Sequence, residues 1–205
     1  LLMIVNATRS GSEIMKSFTL IPSVYLKENW ATVFKYFNLF LGMWNSLKVA
    51  VPSTLLCAYF SAMTAYALAM YKFKGNKVLF MTILIFMMIP GQLGLIGFYN
   101  LCTKLHLVNS YIPLIIPAIA SPGTVFFLRQ YVLSVMPPSL IEAARIDGSK
   151  EWKTFNKIIL PIMKPAVATQ AVIQIIAKRN IQFTPTMLLT TDSNNKLPMF
   201  VQLLE

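Results

Sequence analysis

The sequence predicts an all-α fold, a polytopic bundle of transmembrane helices. Three observations predict it. Of 205 residues, 56% are hydrophobic and only 12% are charged, about half the charged share of an average soluble domain. The apolar residues gather into runs of about 20, the helix length that crosses a ~30 Å hydrocarbon layer. The basic residues, 18 Lys and Arg against 7 Asp and Glu, fall mostly in the polar stretches between those runs, as in the cytoplasmic loops of membrane proteins. A net charge of +11 would suit a nucleic-acid binder only if the basic residues clustered among polar and aromatic ones. The expected partner is therefore membrane lipid and not nucleic acid.

The elements follow in order. Leu1 to Val5 reads as the end of an apolar stretch, with no basic leader or small-residue cleavage site to mark a signal peptide. The expectation is one membrane domain over residues 1–205, truncated at both ends. Residues 6–38 are polar and mixed, interrupted by Pro22, and read as an external loop with short helical pieces. Residues 44–70 form the first complete span, bracketed by Trp44 and Tyr71 as interfacial aromatics often do. Residues 71–77 make a tight loop with Lys72, Lys74 and Lys77 and no acid.

A second span is expected over residues 78–99, kinked by Pro90, Gly91, Gly94 and Gly97, which neighbouring helices in a membrane can support. A third covers 110–128, with Pro113, Pro117 and Pro122. A fourth covers 165–189. Lys and Arg counts set the orientation. The loops at 71–77 and 129–164 carry three and six basic residues, while 100–109 carries one. Alternation of spans then places both basic loops in the cytoplasm.

The second basic loop carries the most specific pattern. Ser139 stands three residues before Glu142, the spacing of a capping box. Asp147-Gly148 stops this helix, because Gly tolerates the left-handed geometry of a C-terminal cap. Ser149 is placed to cap a second helix reaching about Ile159, and Pro161 and Pro165 then turn the chain into the membrane. Two short helices at an angle are expected across residues 139–161.

Here the sequence resembles the carbohydrate branch of ABC importer permeases. Glu142-Ala143-Ala144, Gly148, Ile158 and Leu160-Pro161 stand at the spacing of that family's EAA loop, within Glu142-Ala143-Ala144-Arg145-Ile146-Asp147-Gly148 and Ile158-Ile159-Leu160-Pro161. Phe127-Leu128-Arg129-Gln130, Trp44-Asn45-Ser46-Leu47 and Tyr71-Lys72-Phe73-Lys74-Gly75 agree with it. The resemblance covers nearly the whole chain and is closest to the second permease of maltose-type systems. It implies six spans in a bacterial cell membrane, cytoplasmic ATP-binding subunits, a second permease subunit and an extracytoplasmic solute-binding protein. It also implies that Glu142, Ala143, Ala144, Arg145, Asp147, Gly148, Ile158, Leu160 and Pro161 couple the spans to the ATPase by helix-in-groove docking.

No phosphate-binding GxxxxGK[ST] segment occurs, so ATP binding is expected on a separate subunit. The one histidine, His106, has no partner for catalysis or for a metal, and no cofactor is expected. The chain reads as a transporter and not an enzyme. A secondary transporter or channel subunit, with no ATPase partner, is the rival reading.

The family's fifth span usually holds Trp-Asn, then an aromatic and a Pro. Here Asn180, Phe183 and Pro185 fit, but Arg179 stands where Trp is expected. Lys178 and Arg179 would lie near the middle of a 165–189 span, where each charge costs about 2.5–3.5 kcal/mol unless it meets water or a partner. Two readings stand open: both line the translocation path, or the variant is compromised or its span shifted. Asn180 and Gln182 would hydrogen-bond a sugar in the path, or join helices to one another.

The orientation is testable. In a background with Cys57 and Cys102 replaced, cysteines at Asn76 and Ser149 should resist impermeant thiol reagents in whole cells, and one at Ser110 should label. The reverse pattern would refute the topology.

Overall fold

A computed structural model describes residues 1–16, 18–36, 39–180 and 183–189, which contain helices and turns and no strand. Three short helices come first: α1 (Leu2–Ala7), α2 (Gly11–Lys16) and α3 (Leu26–Tyr36). Polar side chains stitch them together. Asn29 Nδ2 donates to the Ala7 and Arg9 carbonyls, both at 2.9 Å, and the Ser23 N–H donates to Thr8 Oγ1 at 2.9 Å. The leading segment thus has the short helical pieces that its mixed composition suggested.

The first span is α4 (Leu39–Met70), one helix of 32 residues that begins before Trp44. Pro52 lies inside it and has no N–H to give the preceding turn. Beside it the buried Ser53 hydroxyl donates back to the Val49 carbonyl at 2.6 Å.

The second expected span is not one kinked helix. It is α5 (Asn76–Met88) and α6 (Leu95–Lys104), bent by 89° across a break and a 3-10 turn at Gly91–Gly94. Pro90 is the cause. The residue before a proline is driven out of the helical region, and Ile89 is extended at φ −82°, ψ 120°. As α6 continues to Lys104, it buries Cys102, which the sequence had placed in a polar connection.

The third span comprises α7 (Ile112–Ile115), a 3-10 turn at Ile116–Ile119, and α8 (Pro122–Val135). Helix α8 runs past Leu128, so Arg129 is helical and does not open a loop. The short helix α9 (Ser139–Ile146) follows. Then α10 (Glu151–Thr154), a π turn at Phe155–Ile159 and α11 (Leu160–Asn180) run on as one helix, and α12 (Phe183–Leu188) closes the described part.

The last span therefore begins at Glu151 and not at residue 165. Pro161 and Pro165 do not redirect the chain; they lie within this helix. A proline clashes with the carbonyl four residues back. The π turn just before Pro161, where the Leu160 N–H reaches the Phe155 carbonyl, widens the helix there and accommodates the ring. The continuous segment Glu151–Lys178 has 28 residues. At 1.5 Å per residue it rises about 42 Å, longer than the ~30 Å hydrocarbon layer, so its ends protrude.

Among the described residues, three helices are long and apolar enough to cross a membrane, and a fourth if the bent α5–α6 pair counts as one. Helix α4 is the centre, packed mainly against α8 and α11. Ala62 and Ala65 of α4 are fully buried among Leu128, Val132, Ile159 and Met163. Such small residues let helix backbones approach closely, the packing that operates in lipid. The outer surface is apolar: Leu55, Ile85, Met88, Val172 and Ile176 are each more than half exposed. Water would penalise that surface; acyl chains would not.

A polar cluster ties the three central helices together. Gln174 Nε2 of α11 donates to Thr124 Oγ1 of α8 at 3.0 Å, and the Ser121 hydroxyl donates to the same oxygen at 2.9 Å. Thr124 in turn donates to Gln170 Oε1 at 3.4 Å, and Cys57 Sγ of α4 lies 3.7 Å from Thr124.

Candidate functional site

The segment from Glu142 to Pro161 lies at the end of the bundle where α4 and α8 also finish. Helix α9 is amphipathic by spacing. Ile141 and Ala144, one turn apart, are buried, while Glu142, Ala143, Arg145 and Ile146 face outward. Ile141 joins the core formed by Tyr66, Leu128, Val132, Met136, Phe155 and Ile159. Ala143 and Ala144 therefore differ in role. Ala143 leaves a shallow spot on the exposed face; Ala144 is spent inward on the protein's own packing.

The start of α9 is not the expected box. Ser139 is already helical, Pro138 precedes it, and no side-chain cap bond forms. Pro138 has helical φ and ψ, so the helix starts one residue early and Ser139 cannot adopt the extended cap geometry. The helix end is as expected. The Ser149 N–H reaches the Ala144 carbonyl at 2.9 Å and the Gly148 N–H reaches the Arg145 carbonyl at 3.0 Å. These are the two bonds of a Schellman stop. Gly148 takes φ +72° there, and an added Cβ would meet nothing within 4 Å. Backbone geometry alone demands glycine. Ser149 does not cap α10, because Lys150 intervenes; its oxygen accepts from the Thr154 hydroxyl at 2.9 Å.

Across this turn Arg145 Nε donates to Glu151 Oε1 at 2.9 Å. The other Glu151 oxygen accepts from the Tyr71 hydroxyl, and Tyr66 lies 3.1 Å from Tyr71, oxygen to oxygen. The Arg145 guanidinium also sits 5.3 Å from the Tyr71 ring centre. Burial first, and then the bond to Glu151, hold the Tyr71 hydroxyl above its usual range, so it remains a donor. Both members of the ion pair are about half exposed, so solvent screens it and its contribution is small. Behind it, Phe155 stacks on Tyr66 at 5.8 Å and meets Tyr59 edge-on at 5.7 Å. Tyr59 also donates to Asn156 Oδ1 at 3.2 Å. Ile158 and Leu160 pack against the same core, while Pro161 is exposed.

The outer surface of the turn is apolar as well as charged: Ile146 is 86% exposed and Trp152 is 65% exposed. The sequence pattern did not single out Tyr66, Tyr71, Glu151 or Trp152 for this site. Tyr71 and Glu151 stand 80 positions apart, and no local signal joins them.

The residues read as a substrate path are elsewhere. Lys178, Arg179 and Asn180 are the last three residues of α11, so the early start of that helix puts them near its end and not at mid-span. A cation near a helix C-terminus is favoured by the helix dipole. Lys178 lines a cavity of about 300 Å³ with Val49, Gly91, Phe98, Pro117 and Pro185. Gln182 lies outside the described residues.

The bundle and its apolar exterior define an integral membrane protein. Residues 30–189 match the family described as binding-protein-dependent transport system inner membrane component. The arabinooligosaccharides transport system permease protein AraQ of Halalkalibacterium halodurans is 37% identical over 201 residues, covering 96% of this chain and 72% of that protein. The lactose transport system permease protein LacG of Rhizobium radiobacter is 28% identical, covering 97% and 72%. A bacterial ABC transporter involved in importing the acidic polysaccharide alginate shares the fold, with a TM-score of 0.79 at 23% identity, over 98% of this chain and 71% of that one. The chain belongs to the binding-protein-dependent transport family: it is an inner-membrane permease subunit of an ABC importer.

The two attachments of α9 differ in size. Ile141→Ala removes a buried side chain and should cost about 2–5 kcal/mol of local stability; Glu151→Gln removes the half-exposed, solvent-screened pair and should cost far less. Hydrogen exchange of the α9 amides in detergent should rise far more in the first variant. Equal effects would mean that the ion pair, not apolar burial, holds the helix.

Proposed function

We propose that the α9–α10 turn docks on a cytoplasmic ATP-binding subunit and transmits its motion to the spans, driving import of a sugar. The carrying observation is the amphipathic division of α9. One face, with Ile141 and Ala144, is buried, and Ile141 joins a core with residues of α4, α8 and α11. The other, with Glu142, Ala143, Arg145 and Ile146, is free to enter a groove. Asp147 and Gly148 set the direction of the turn; Ile158, Leu160 and Pro161 carry the displacement into α11. A nucleotide-driven change in the partner shifts the permease only if it favours one conformation, and a sealed helix gives it something to push.

The sugar reading rests on the names of relatives, which move arabinooligosaccharides and lactose, and on the resemblance to maltose-type permeases. The same relationship proposes a second permease subunit across the pathway and an extracytoplasmic solute-binding protein. Lys178 lies on a cavity wall beside the α5–α6 break; it, with Arg179, Asn180 and Gln182, remains the proposed contact of the chain with the path.

Gly148→Val tests the coupling. Valine at φ +72° is strained by roughly 1–2 kcal/mol and would swing α9 against α10. In the full-length permease it should abolish ATP hydrolysis stimulated by loaded binding protein, while the subunit still reaches the membrane. Gly148→Asn, which tolerates left-handed geometry, should keep most of the stimulation. Normal stimulation and ATPase co-purification in the valine variant would refute the docking role. Transport with no ATPase bound to the native protein would favour the secondary transporter or channel.

A further inference from the structure

Away from the docking turn, the same end of the bundle carries a second concentration of positive charge. Lys72, Lys74 and Lys77 follow α4, and Arg129 faces them from α8. Together with Tyr71 and Asn76 they line a cavity of about 680 Å³, and no Asp or Glu lines it. Arg129 is half-buried. Its guanidinium lies 3.9 Å from the Phe80 ring centre, and its Nε donates to the Leu68 carbonyl at 3.4 Å. Among the described residues, its remaining N–H groups meet no protein acceptor.

Helix α5 begins at this cavity. Gly75 stands at its N-cap with φ +94° and offers no side-chain cap. The N–H groups of Lys77 and Val78 in the first turn have no backbone acceptor, so the cavity gains donors that favour an anion. The positive-inside rule accounts for lysines in a loop. Arg129, inside α8, lines the same space.

A second cavity, of about 560 Å³, adjoins the first; Leu68 lines both. It opens between α4, α5 and α8 and is walled by Leu79, Ile83, Phe86 and Val125, with Thr64, Thr82 and Ser121 as its polar residues. Leu79 and Phe86 are more than half exposed, so this crevice faces sideways, toward the bilayer.

We propose that the two cavities form one binding site for an anionic phospholipid. The phosphate sits among Lys72, Lys74, Lys77 and Arg129, and an acyl chain lies in the crevice between α5 and α8. The guanidinium fork and the helix N–H groups match phosphate oxygens. Basic pockets between spans are a known form of headgroup recognition. A free phosphate would use the first cavity and leave the second without a function, so the lipid is the better occupant.

The test is native mass spectrometry of the full-length permease in its assembled complex, with phosphatidylglycerol or phosphatidylcholine added. Phosphatidylglycerol should be retained about tenfold more strongly. The exposed triple substitution Lys72→Gln, Lys74→Gln, Lys77→Gln should lose about tenfold in that retention. Ile83→Trp changes no charge and fills the crevice, so it should also release the lipid, and it tests the site independently of any effect of the lysines on insertion. Soluble glycerol phosphate should not compete. Equal retention of the two lipids, or unchanged retention in both variants, would overturn the proposal. So would competition by glycerol phosphate with Ile83→Trp unaffected, which identifies a soluble phosphate. A photo-crosslinker at Thr82 should capture phospholipid; capture of a protein segment instead would overturn it too.

Discussion

The burial of Ile141 against the ends of α4, α8 and α11 is the contact on which the rest of the arrangement depends. A short helix of eight residues is not stable in water on its own. Helix α9 persists because Ile141 enters a core with Tyr66, Val132, Met136, Phe155 and Ile159. The Arg145–Glu151–Tyr71 bonds refine its position, but they are too exposed to supply the larger share of the energy. A dense core has few continuous deformations. Pushing α9 therefore moves the helix ends beneath it, which is the mechanical requirement of the proposed coupling.

The bilayer supplies the second constraint. In lipid there is no hydrophobic drive between helices, so α4, α8 and α11 are joined by small residues and by shared hydrogen bonds. Thr124 does both: it is fully buried and bonds to Gln170, Gln174 and Ser121. The π turn before Pro161 fits the same logic. It keeps the chain helical where a proline would otherwise break it, so α10 and the last span stay parts of one rod. At Pro90, by contrast, the helix breaks and turns by 89°.

The all-α class, the positions of the first three apolar segments and the Gly148 stop were legible in the sequence. Each is local: run length, basic loops, and one residue type that tolerates positive φ. The misreadings are also physical. Pro161 and Pro165 read as breakers, and a sequence does not display the π turn that relieves Pro161. That error displaced the last span by 14 residues and made Lys178 and Arg179 look like mid-membrane charges. Pro138 pre-empted Ser139 as the cap. Tyr71 and Glu151 were out of reach because their contact depends on how α4 and α10 pack, and Ala143 and Ala144 looked equivalent until the helix phase separated them. The family resemblance supplied what periodicity does not, a reason for an exposed helix at that end of the bundle.

The central claim is that α9 moves as one body with the spans while its outer face meets the ATP-binding subunit. Spin labels at Ile146 on α9 and Leu55 on α4, both well exposed, test it in the assembled full-length complex. The account predicts one unchanged distance with and without ATP, and an Ile146 label shielded from a water-soluble relaxation agent once the ATP-binding subunit is present. A distance that shifts or broadens with ATP, or an Ile146 label that stays open to solvent in the complex, would contradict it.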